Sequence, residues 1–334
     1  MKGPGDCMTR SQPDPAQLPP SAGKVTRRIV RVDAETRLEA IERLVGGSGR
    51  SGRVHAERFV EFSDTHAIRI DAMWASLDEA GRIAATVLAV PNPGRTAMIF
   101  ASPPASREEL GRQAELIDHA CRELGAMDLH LAQVLTEPQD TLQREAFLAG
   151  RFVELAHLSY LERPLAAAGK AAPARWPKDV TVEPYHQALR REMITVLERS
   201  YEETLDCPDL RGLRRTEDIL DGHQGTGEFD ADLWTLLRIR GEASGVLLLN
   251  RAPANNTIEL VYIGLAKTAR GRGLARPLLR HGLNLLTGRP ERAITLAVDE
   301  RNEPAIALYR GEGFRRVLRR IALIRPLQAA ARPT

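Results

Sequence analysis

The sequence predicts an α/β protein that contains two tandem copies of one fold. Its length of 334 residues is enough for two domains, and its hydrophobic content of 43% is enough for a substantial core. A strand-like run, Ile258–Leu265, leads through a glycine-rich turn into a helix-like run, Leu274–Leu286. A pattern at the end of the chain also occurs 162 residues earlier, which indicates a duplication.

The duplication is clearest around Phe314, which is followed twelve residues later by Pro326 in the segment LIRPL. Phe152 is followed at the same distance by Pro164 in the segment LERPL. An alanine- and proline-rich stretch separates the two copies. The predicted division is a disordered tail over 1–24, a first copy over 25–165, a linker over 166–177 and a second copy over 178–334.

The second copy alternates strand-like and helix-like patterns. In chain order we predict strands over 180–183, 233–239, 245–249, 258–265, 293–298 and 315–325, and helices over 187–201, 274–286 and 303–311. A long polar connection is predicted over 202–229. The first copy retains the helix that follows the glycine-rich turn, as the apolar-periodic run Leu110–Leu124.

The junction between strand 258–265 and its helix has the features of an anion site. The first N–H groups of a helix have no partner within it and lie at the positive end of its dipole. Glycines let a ligand approach the backbone, and the natural guest is a diphosphate. The residues assigned to this site are Arg270, Gly271, Arg272, Gly273, Leu274 and Ala275. The sequence lacks the GxxxxGK[ST] phosphate loop and departs from the GxGxxG dinucleotide fingerprint.

This segment fits the pattern [Q/R]-x-x-G-x-[G/A], and a second motif, N-x-P-A-x-x-x-Y-x-x-x-G-F, spans 302–314. In this order and spacing the two motifs resemble the acetyl-CoA-binding segments of the GNAT N-acetyltransferases, over roughly residues 178–327. The resemblance implies acetyl-CoA as co-substrate. It also implies two tandem GNAT folds, each with a mixed, mostly antiparallel central sheet flanked by helices.

By the same resemblance, the backbone amides near Ile263 and Leu265 bind the pantetheine arm and the thioester oxygen. Asn302 contacts the cofactor or caps the helix that follows it. The alternative for Ile263 and Leu265 is plain strand core, and both interpretations can hold together.

The resemblance also suggests a general base. Glu259 lies eleven residues before Arg270 on the same strand, where some members of the family carry a catalytic glutamate. Strict alternation would place it on one face with Val261 and Ile263, and apolar neighbours would raise its pKa. The alternative is a strand-end glutamate paired with an arginine.

Tyr309 is the candidate acid, because many family members have a tyrosine there that protonates the leaving sulfur. The first copy has Phe147 in its place, so packing alone does not require the hydroxyl. The alternative is a core tyrosine on an amphipathic helix.

The acceptor is expected near the connection 202–229, where the family places its acceptor-binding loops. Tyr201, Asp206 and His223 are the candidate contacts, and a carboxylate there would attract a cationic amine. The alternative is an ordinary solvated loop.

The first copy has lost features of the cofactor site. An ungapped shift of 162 residues places Glu108 at the position of Arg270 and Ala97 at that of Glu259. A carboxylate would repel a diphosphate, and Pro103 removes an N–H group where the ligand needs donors. We therefore predict a degenerate first copy and a catalytic second copy.

Composition excludes several classes of protein. A net charge of +3 gives no nucleic-acid footprint, and three widely spaced cysteines with no HExxH motif indicate neither a disulfide scaffold nor a metal site. No apolar run of about 18 residues predicts a membrane span. The polar N-terminus lacks the apolar segment of a signal peptide. We expect a cytoplasmic monomer or homodimer.

The sequence thus predicts an acetyl-CoA-dependent N-acetyltransferase whose second copy transfers an acetyl group directly to a primary amine of an unidentified acceptor. Two alternatives remain open. The tandem layout is similar to that of the family's mycothiol synthases, which would make the acceptor a cysteinyl amine. A non-catalytic acyl-CoA sensor or scaffold is the other alternative, and it would not need Glu259 and Tyr309.

Overall fold

The computed structural model describes residues 28–46, 49–66, 68–165 and 172–327. The predicted tail over 1–24 and the first part of the predicted linker, 166–171, lie outside these residues. The described chain forms one mixed sheet with helices packed on both faces.

The described strands and helices follow the same order in both halves of the chain. The N-terminal half contains β1 (Ile29–Arg31), α1 (Arg37–Leu44), α2 (Gly49–Thr65), β2 (Ala72–Leu77), β3 (Ile83–Asn92), β4 (Thr96–Ala101), α3 (Leu110–Ala126), β5 (Leu131–Thr136), α4 (Thr141–Ala149) and β6 (Val153–Pro164). The C-terminal half contains β7 (Val180–Pro184), α5 (Arg190–Ser200), α6 (Thr216–Gln224), β8 (Trp234–Ile239), β9 (Glu242–Ala252), β10 (Thr257–Leu265), α7 (Ala275–Leu285), β11 (Ala293–Asp299), α8 (Glu303–Gly311) and β12 (Arg315–Pro326).

The two halves exchange their last strands. The strand order in the sheet is β1-β2-β3-β4-β5-β12-β6-β11-β10-β9-β8-β7, so β12 pairs with β5 and β6 pairs with β11. At the centre β6 and β12 pair with each other, and Leu158 lies opposite Arg320, its equivalent 162 positions later. The sheet therefore has approximate twofold symmetry, and each half completes the sheet of the other.

The expectation of a mixed, mostly antiparallel sheet is confirmed. Among the described strands only β4–β5 and β10–β11 are parallel. Each of these pairs is joined through a helix, α3 or α7, as parallel neighbours require.

One predicted element differs in kind. The connection 202–229 was expected to be irregular, but it contains α6 and a short 3₁₀ turn over Pro208–Leu210. Leu220 is the buried side chain of α6, so the helix has almost no apolar stripe for a sequence pattern to reveal.

Apolar faces fix the helices on both sides of the sheet. Helix α7 buries Leu278, Leu279 and Leu283 on one face of the sheet. Helix α5 buries Met193 and Leu197, one turn apart, on the other face. Replacing any one of these residues with Ala would lower the free energy of unfolding by about 2–5 kcal/mol. This packing holds α7 and its preceding loop against β10.

Candidate active site

A cleft opens where β10 and β11 separate. The strands pair only over Thr257–Glu259 and Ala293–Thr295. The cleft has a volume of about 980 Å³, at the upper end of the ~300–1,000 Å³ common for small-molecule sites. Its walls are the end of β10, the glycine loop, the start of α7, α8, the segment 203–206 and the linker near Pro173.

The structure brings most of the predicted cofactor residues to this cleft. Those that line it are Ile263, Leu265, Arg270, Gly273, Ala275 and Asn302, together with Tyr309 and Asp206. Gly271 and Arg272 belong to the same loop without lining the cleft, and the Leu274 side chain is buried in the core. Glu259, Tyr201 and His223 lie outside the lining.

A β-bulge at Val261 shapes the wall formed by β10. The pairing with β9 shifts register between Leu260 and Tyr262, so Val261 is an extra residue in the strand. An extra residue reverses the alternation of faces beyond it. Glu259 therefore shares its face with Tyr262, whereas Ile263 packs into the core on the opposite face. The face predicted for Ile263 by strict alternation was wrong for this reason.

The same bulge changes which residue of the N-terminal half corresponds to Glu259. Strand β4 shows no such register shift against β3. In the sheet Glu259 lies beside Thr295, and Met98 lies beside Gln133, the residue 162 positions before Thr295. The counterpart of Glu259 is therefore Met98, and not Ala97 as the ungapped shift predicts.

The glycine loop has the geometry of an anion site. Gly271 and Gly273 have φ values of +73° and +72°, a left-handed conformation that favours glycine. No atom lies within 4 Å of a Cβ built on either residue. Helix α7 begins at Ala275, which places its first N–H groups at the loop. Pro277 is its third residue, so the missing N–H group costs no intrahelical hydrogen bond.

Arg270 is engaged with the protein. Its Nη2 donates to the carbonyl of Ser200 at 2.6 Å, its Nη1 to that of Glu203 at 3.2 Å, and its Nε to that of Leu265 at 3.2 Å. The side chain therefore ties the end of α5 to the end of β10, and it adds positive charge to the cleft wall without being free to follow a ligand.

The other arginines of the loop region are also paired. Arg272 donates to Asp179 at 2.9 Å. Arg276 and Arg280 each donate to one carboxylate oxygen of Glu312 at 2.9 Å. The anion site is therefore built mainly from backbone N–H groups within a positively charged wall.

Helix α8 carries Tyr309 to the cleft. Asn302 caps the helix, because its side chain accepts from the Ala305 N–H group at 3.3 Å. Capping was one of the two roles predicted for this residue, and a cofactor contact was the other. Gly313, at φ +88°, ends the helix, and the Phe314 N–H group donates to the Tyr309 carbonyl at 3.1 Å. The rings of Tyr309 and Phe314 lie 5.6 Å apart. The cap at Asn302 and the contacts with Phe314 therefore fix the position of the phenol from both ends of α8.

The environment of Tyr309 keeps its hydroxyl group protonated. Burial raises its pKa well above the ordinary value, and the nearby charges of Asp206 and Tyr262 act in the same direction. The phenol is protonated at neutral pH and can donate to a developing thiolate. Phe147, its counterpart, is fully buried and has no such donor.

Glu259 has the environment of a general base. Burial raises the pKa of its carboxyl group, and no hydrogen bond or ion pair holds it within the described part of the chain. Tyr160 lies nearby on the same face, since it pairs with Ala297, two positions beyond Thr295. Burial and the negative charge of Glu259 both raise the pKa of Tyr160. This tyrosine belongs to β6, so strand exchange brings a residue of the N-terminal half to Glu259.

Tyr262 is a residue of the site that sequence analysis missed. It lines the cleft, and its Oη lies 2.8 Å from Ser200 Oγ. Its ring stacks on that of His223 at 5.6 Å and 20°. Burial raises its pKa to about 12. Like Tyr309, Tyr262 is a tyrosine whose counterpart in the N-terminal half is a phenylalanine, since Phe100 stands 162 positions earlier.

The remaining predicted acceptor residues have clear places. Asp206 lines the cleft, accepts from the Asp299 N–H group at 3.0 Å, and has its pKa raised by burial. Tyr201 packs its ring 5.6 Å from that of Tyr262, behind the cleft wall. Asp206 thus joins the segment 203–206 to the turn before α8, and Tyr201 supports Tyr262.

His223 lines a second, polar cavity of about 390 Å³ between the two halves. Its Nε2, the Nε of Arg214 and one oxygen of Asp218 are buried without a hydrogen-bond partner in the described protein. Burial, and then the charge of Arg214, lower the pKa of His223 to about 4, so the imidazole is neutral at pH 7. Pro93 lines the cavity, and the carbonyl of the neighbouring Gly94 accepts from Arg214 at 2.7 Å.

The corresponding region of the N-terminal half is smaller and differently lined. Its cavity has a volume of about 480 Å³ and is bordered by Pro103 and Pro104. Gln143 lies across it and donates to the Ala101 carbonyl at 3.0 Å. Pro103 and Pro104 stand at the positions of Leu265 and Ala266, where they remove backbone N–H groups at the end of the strand.

Other kinds of chemistry lack support in the described residues. There, no group of three or more His, Cys, Asp or Glu side chains is placed to hold a metal ion. Burial raises the pKa of Cys121 and of Cys207 to about 12, so neither thiol is a ready nucleophile. Across the same residues, every helix is too short or too polar to span a bilayer.

Comparison with known protein families relates the C-terminal half of the chain to acetyltransferases. Residues 195–314 match the acetyltransferase (GNAT) family. The mycothiol acetyltransferase of Corynebacterium glutamicum (strain R) is 41% identical over 56 residues, which are 17% of this chain and 19% of the relative. The streptothricin acetyltransferase of Streptomyces lavendulae is 31% identical over 96 residues, 28% of this chain and 51% of the relative. The chain thus spans about a fifth to a half of these curated relatives.

Solved structures share the whole fold. A GCN5-related N-acetyltransferase from Sphaerobacter thermophilus has a TM-score of 0.58 at 16% identity, over 91% of this chain and 97% of its own. A tandem GNAT protein from the clavulanic acid biosynthesis pathway has a TM-score of 0.53 at 16% identity, over 91% and 100%. Members of the family use acetyl-CoA and an acceptor. The family match therefore lies within the C-terminal half of the chain, and the fold of the whole chain is similar to that of a tandem GNAT protein.

Proposed function

We propose that the C-terminal half transfers an acetyl group from acetyl-CoA directly to a primary amine. The observation that carries the proposal is the cleft between β10 and β11, which joins the glycine loop at one end to Tyr309 and the bulged strand at the other. A diphosphate and a thioester are therefore accommodated at the two ends of one cavity.

The residues present fit acetyl-CoA. The Cβ positions of Gly271 and Gly273 are open, so a diphosphate can reach the N–H groups at the start of α7. Beyond the paired segment, the edge of β10 that faces β11 leaves backbone groups for the pantetheine arm. Acetyl-CoA, when bound, supplies the activated acyl group.

Glu259 accepts a proton from the amine as the new C–N bond forms. The raised pKa of its carboxyl group makes it a better proton acceptor than an exposed glutamate. It lies on the face of β10 that carries Tyr262, and Tyr160 borders the same face. We place the acceptor amine on this face, between the two halves.

Tyr309 donates its proton to the sulfur as the C–S bond breaks. The proton taken by Glu259 and the proton lost by Tyr309 balance, and solvent returns both groups to their starting states. The direct route needs no covalent acyl-enzyme, in keeping with the high pKa of both described thiols.

Release of thiol from acetyl-CoA in the presence of an amine panel, with mass detection of the acetylated product, tests this proposal. The panel should include a cysteinyl amine and an aminoglycoside-type amine, because the acceptor class is open. Tight binding of acetyl-CoA with no acetylated product across the panel would favour an acyl-CoA sensor instead.

We expect one acetyl-CoA per chain. Pro103 and Pro104 remove N–H groups at the end of β4, and Glu108 stands at the position of Arg270, where a carboxylate would repel a diphosphate. Titration calorimetry of the full chain measures the stoichiometry. Two sites of similar affinity would contradict a degenerate N-terminal half.

Tyr309→Phe should lower kcat by about 10²-fold while the protein remains folded. The phenol is needed for proton donation, but the same position in the N-terminal half holds Phe147, so the ring alone satisfies the packing. Steady-state kinetics measures the loss. Tyr185→Phe, which removes a hydroxyl bonded to Gln187 away from the cleft, is the matched control and should keep its rate.

A further inference from the structure

The end of the interdomain linker is bound along α7. Ala172 accepts from the side chain of Asn284 at 3.5 Å. The ring of Trp176 lies 6.2 Å from that of His281 and packs against the core beside α7. Asp179 then binds Arg272 of the glycine loop. The linker therefore follows α7 from its C-terminal end back to the loop.

The path of the linker along α7 places Arg175 in the wall of the cofactor cleft. Ala172 and Pro173 line the same wall, and they face the side of α7 that carries Arg276 and Arg280. The cleft thus extends past the glycine loop along the first two turns of α7.

Arg175 differs from the other cations of the cleft in having no partner among the described residues. Arg270 is held by three carbonyls, and Arg276 and Arg280 share Glu312. Within the described part of the chain, no hydrogen bond or ion pair engages Arg175. An unpaired guanidinium in a cleft wall is suited to a phosphate, which it binds through two parallel N–H bonds.

We infer that Arg175 binds the 3′-phosphate of coenzyme A, so that the linker between the two halves forms part of the cofactor site. This inference rests on the proposed function. The loop N–H groups take the diphosphate, which leaves the 3′-phosphate as the anion at the outer end of the cleft, beside the linker. Arg175 then discriminates coenzyme A thioesters from their 3′-dephospho forms.

The test measures the affinity of acetyl-CoA and of 3′-dephospho-acetyl-CoA for the full chain and for Arg175→Gln. The wild type should bind the dephospho form about five- to tenfold more weakly, and Arg175→Gln should bind both forms almost equally. Arg175→Lys should retain part of the preference. Lys178→Gln removes the same charge from the same segment outside the cleft wall, and it should keep the full preference.

Three outcomes would overturn the inference. A wild type that binds both forms equally shows that the 3′-phosphate is not recognised. An unchanged preference in Arg175→Gln assigns the recognition to another cation, and an equal loss for both forms assigns to Arg175 a role in linker packing. A wild type that binds neither form instead refutes the proposed function itself.

Discussion

Glu259→Gln should reduce kcat/KM by about 10²- to 10⁴-fold, the usual contribution of general-base catalysis. Burial raises the pKa of this carboxyl group above 4.5, so the rising limb of the pH profile should lie above the range of an exposed glutamate. A base acts in its deprotonated form, so the rate should increase with pH through that pKa. In Glu259→Gln this limb should disappear, and a partial recovery is expected at high pH, where hydroxide and free amine replace the base.

The controls separate catalysis from folding and binding. Acetyl-CoA affinity should remain near the native value, because Glu259 lies outside the cleft lining that includes the glycine loop. Glu259→Asp keeps the charge and should be less impaired, and Glu242→Gln changes an exposed carboxyl group at the start of β9 and should be silent. Burial and the charge of Arg214 lower the pKa of His223 to about 4, and this residue lies outside the cleft lining, so we do not expect it to supply the limb. An unchanged rate and pH profile in Glu259→Gln would remove this residue from the mechanism.

Gly273→Asp should weaken acetyl-CoA binding by at least about tenfold. The residue has φ +72°, its Cβ position opens toward the cleft, and a carboxylate there would lie beside the diphosphate. The substitution should also reduce stability modestly, since a side chain strains the left-handed conformation. Calorimetry and thermal unfolding measure the two effects independently.

Gly241→Asp is the matched control for this substitution. Gly241 has φ +85° and an open Cβ position, but it lies in the turn between β8 and β9, outside the cleft lining. It should share the loss of stability and keep its affinity for acetyl-CoA. Native affinity in a folded Gly273→Asp protein would show that the glycine loop is not the diphosphate site.

Sequence reasoning located the elements of the site because they depend on local patterns. The glycine loop, the cap at Asn302 and the helix that carries Tyr309 are each set by a few adjacent residues. These patterns specify backbone conformation within one or two turns of chain, and the structure places them together at one cleft.

Pairing between distant strands was beyond that reasoning. Alternation along β10 gave the wrong face for Ile263, because a bulge is visible only from the register with β9. Tyr160 and Arg175 reach the site through the order of strands and the path of the linker, neither of which leaves a local signature. The contrast between Tyr262 and Phe100 is present in the sequence, but it is a single substitution on a strand and no motif marks it.

The exchange of β6 and β12 bears on how a duplicated gene can diverge. Deleting the N-terminal half would strip β11 of its neighbour and leave an open strand edge next to the cleft. Selection for chemistry in one half therefore also preserves the sheet-forming residues of the other. The region of the N-terminal half that corresponds to the cofactor site carries no such constraint, so it can accumulate prolines and carboxylates. Under the proposed function, the N-terminal half would thus persist as a structural part that the catalytic half requires.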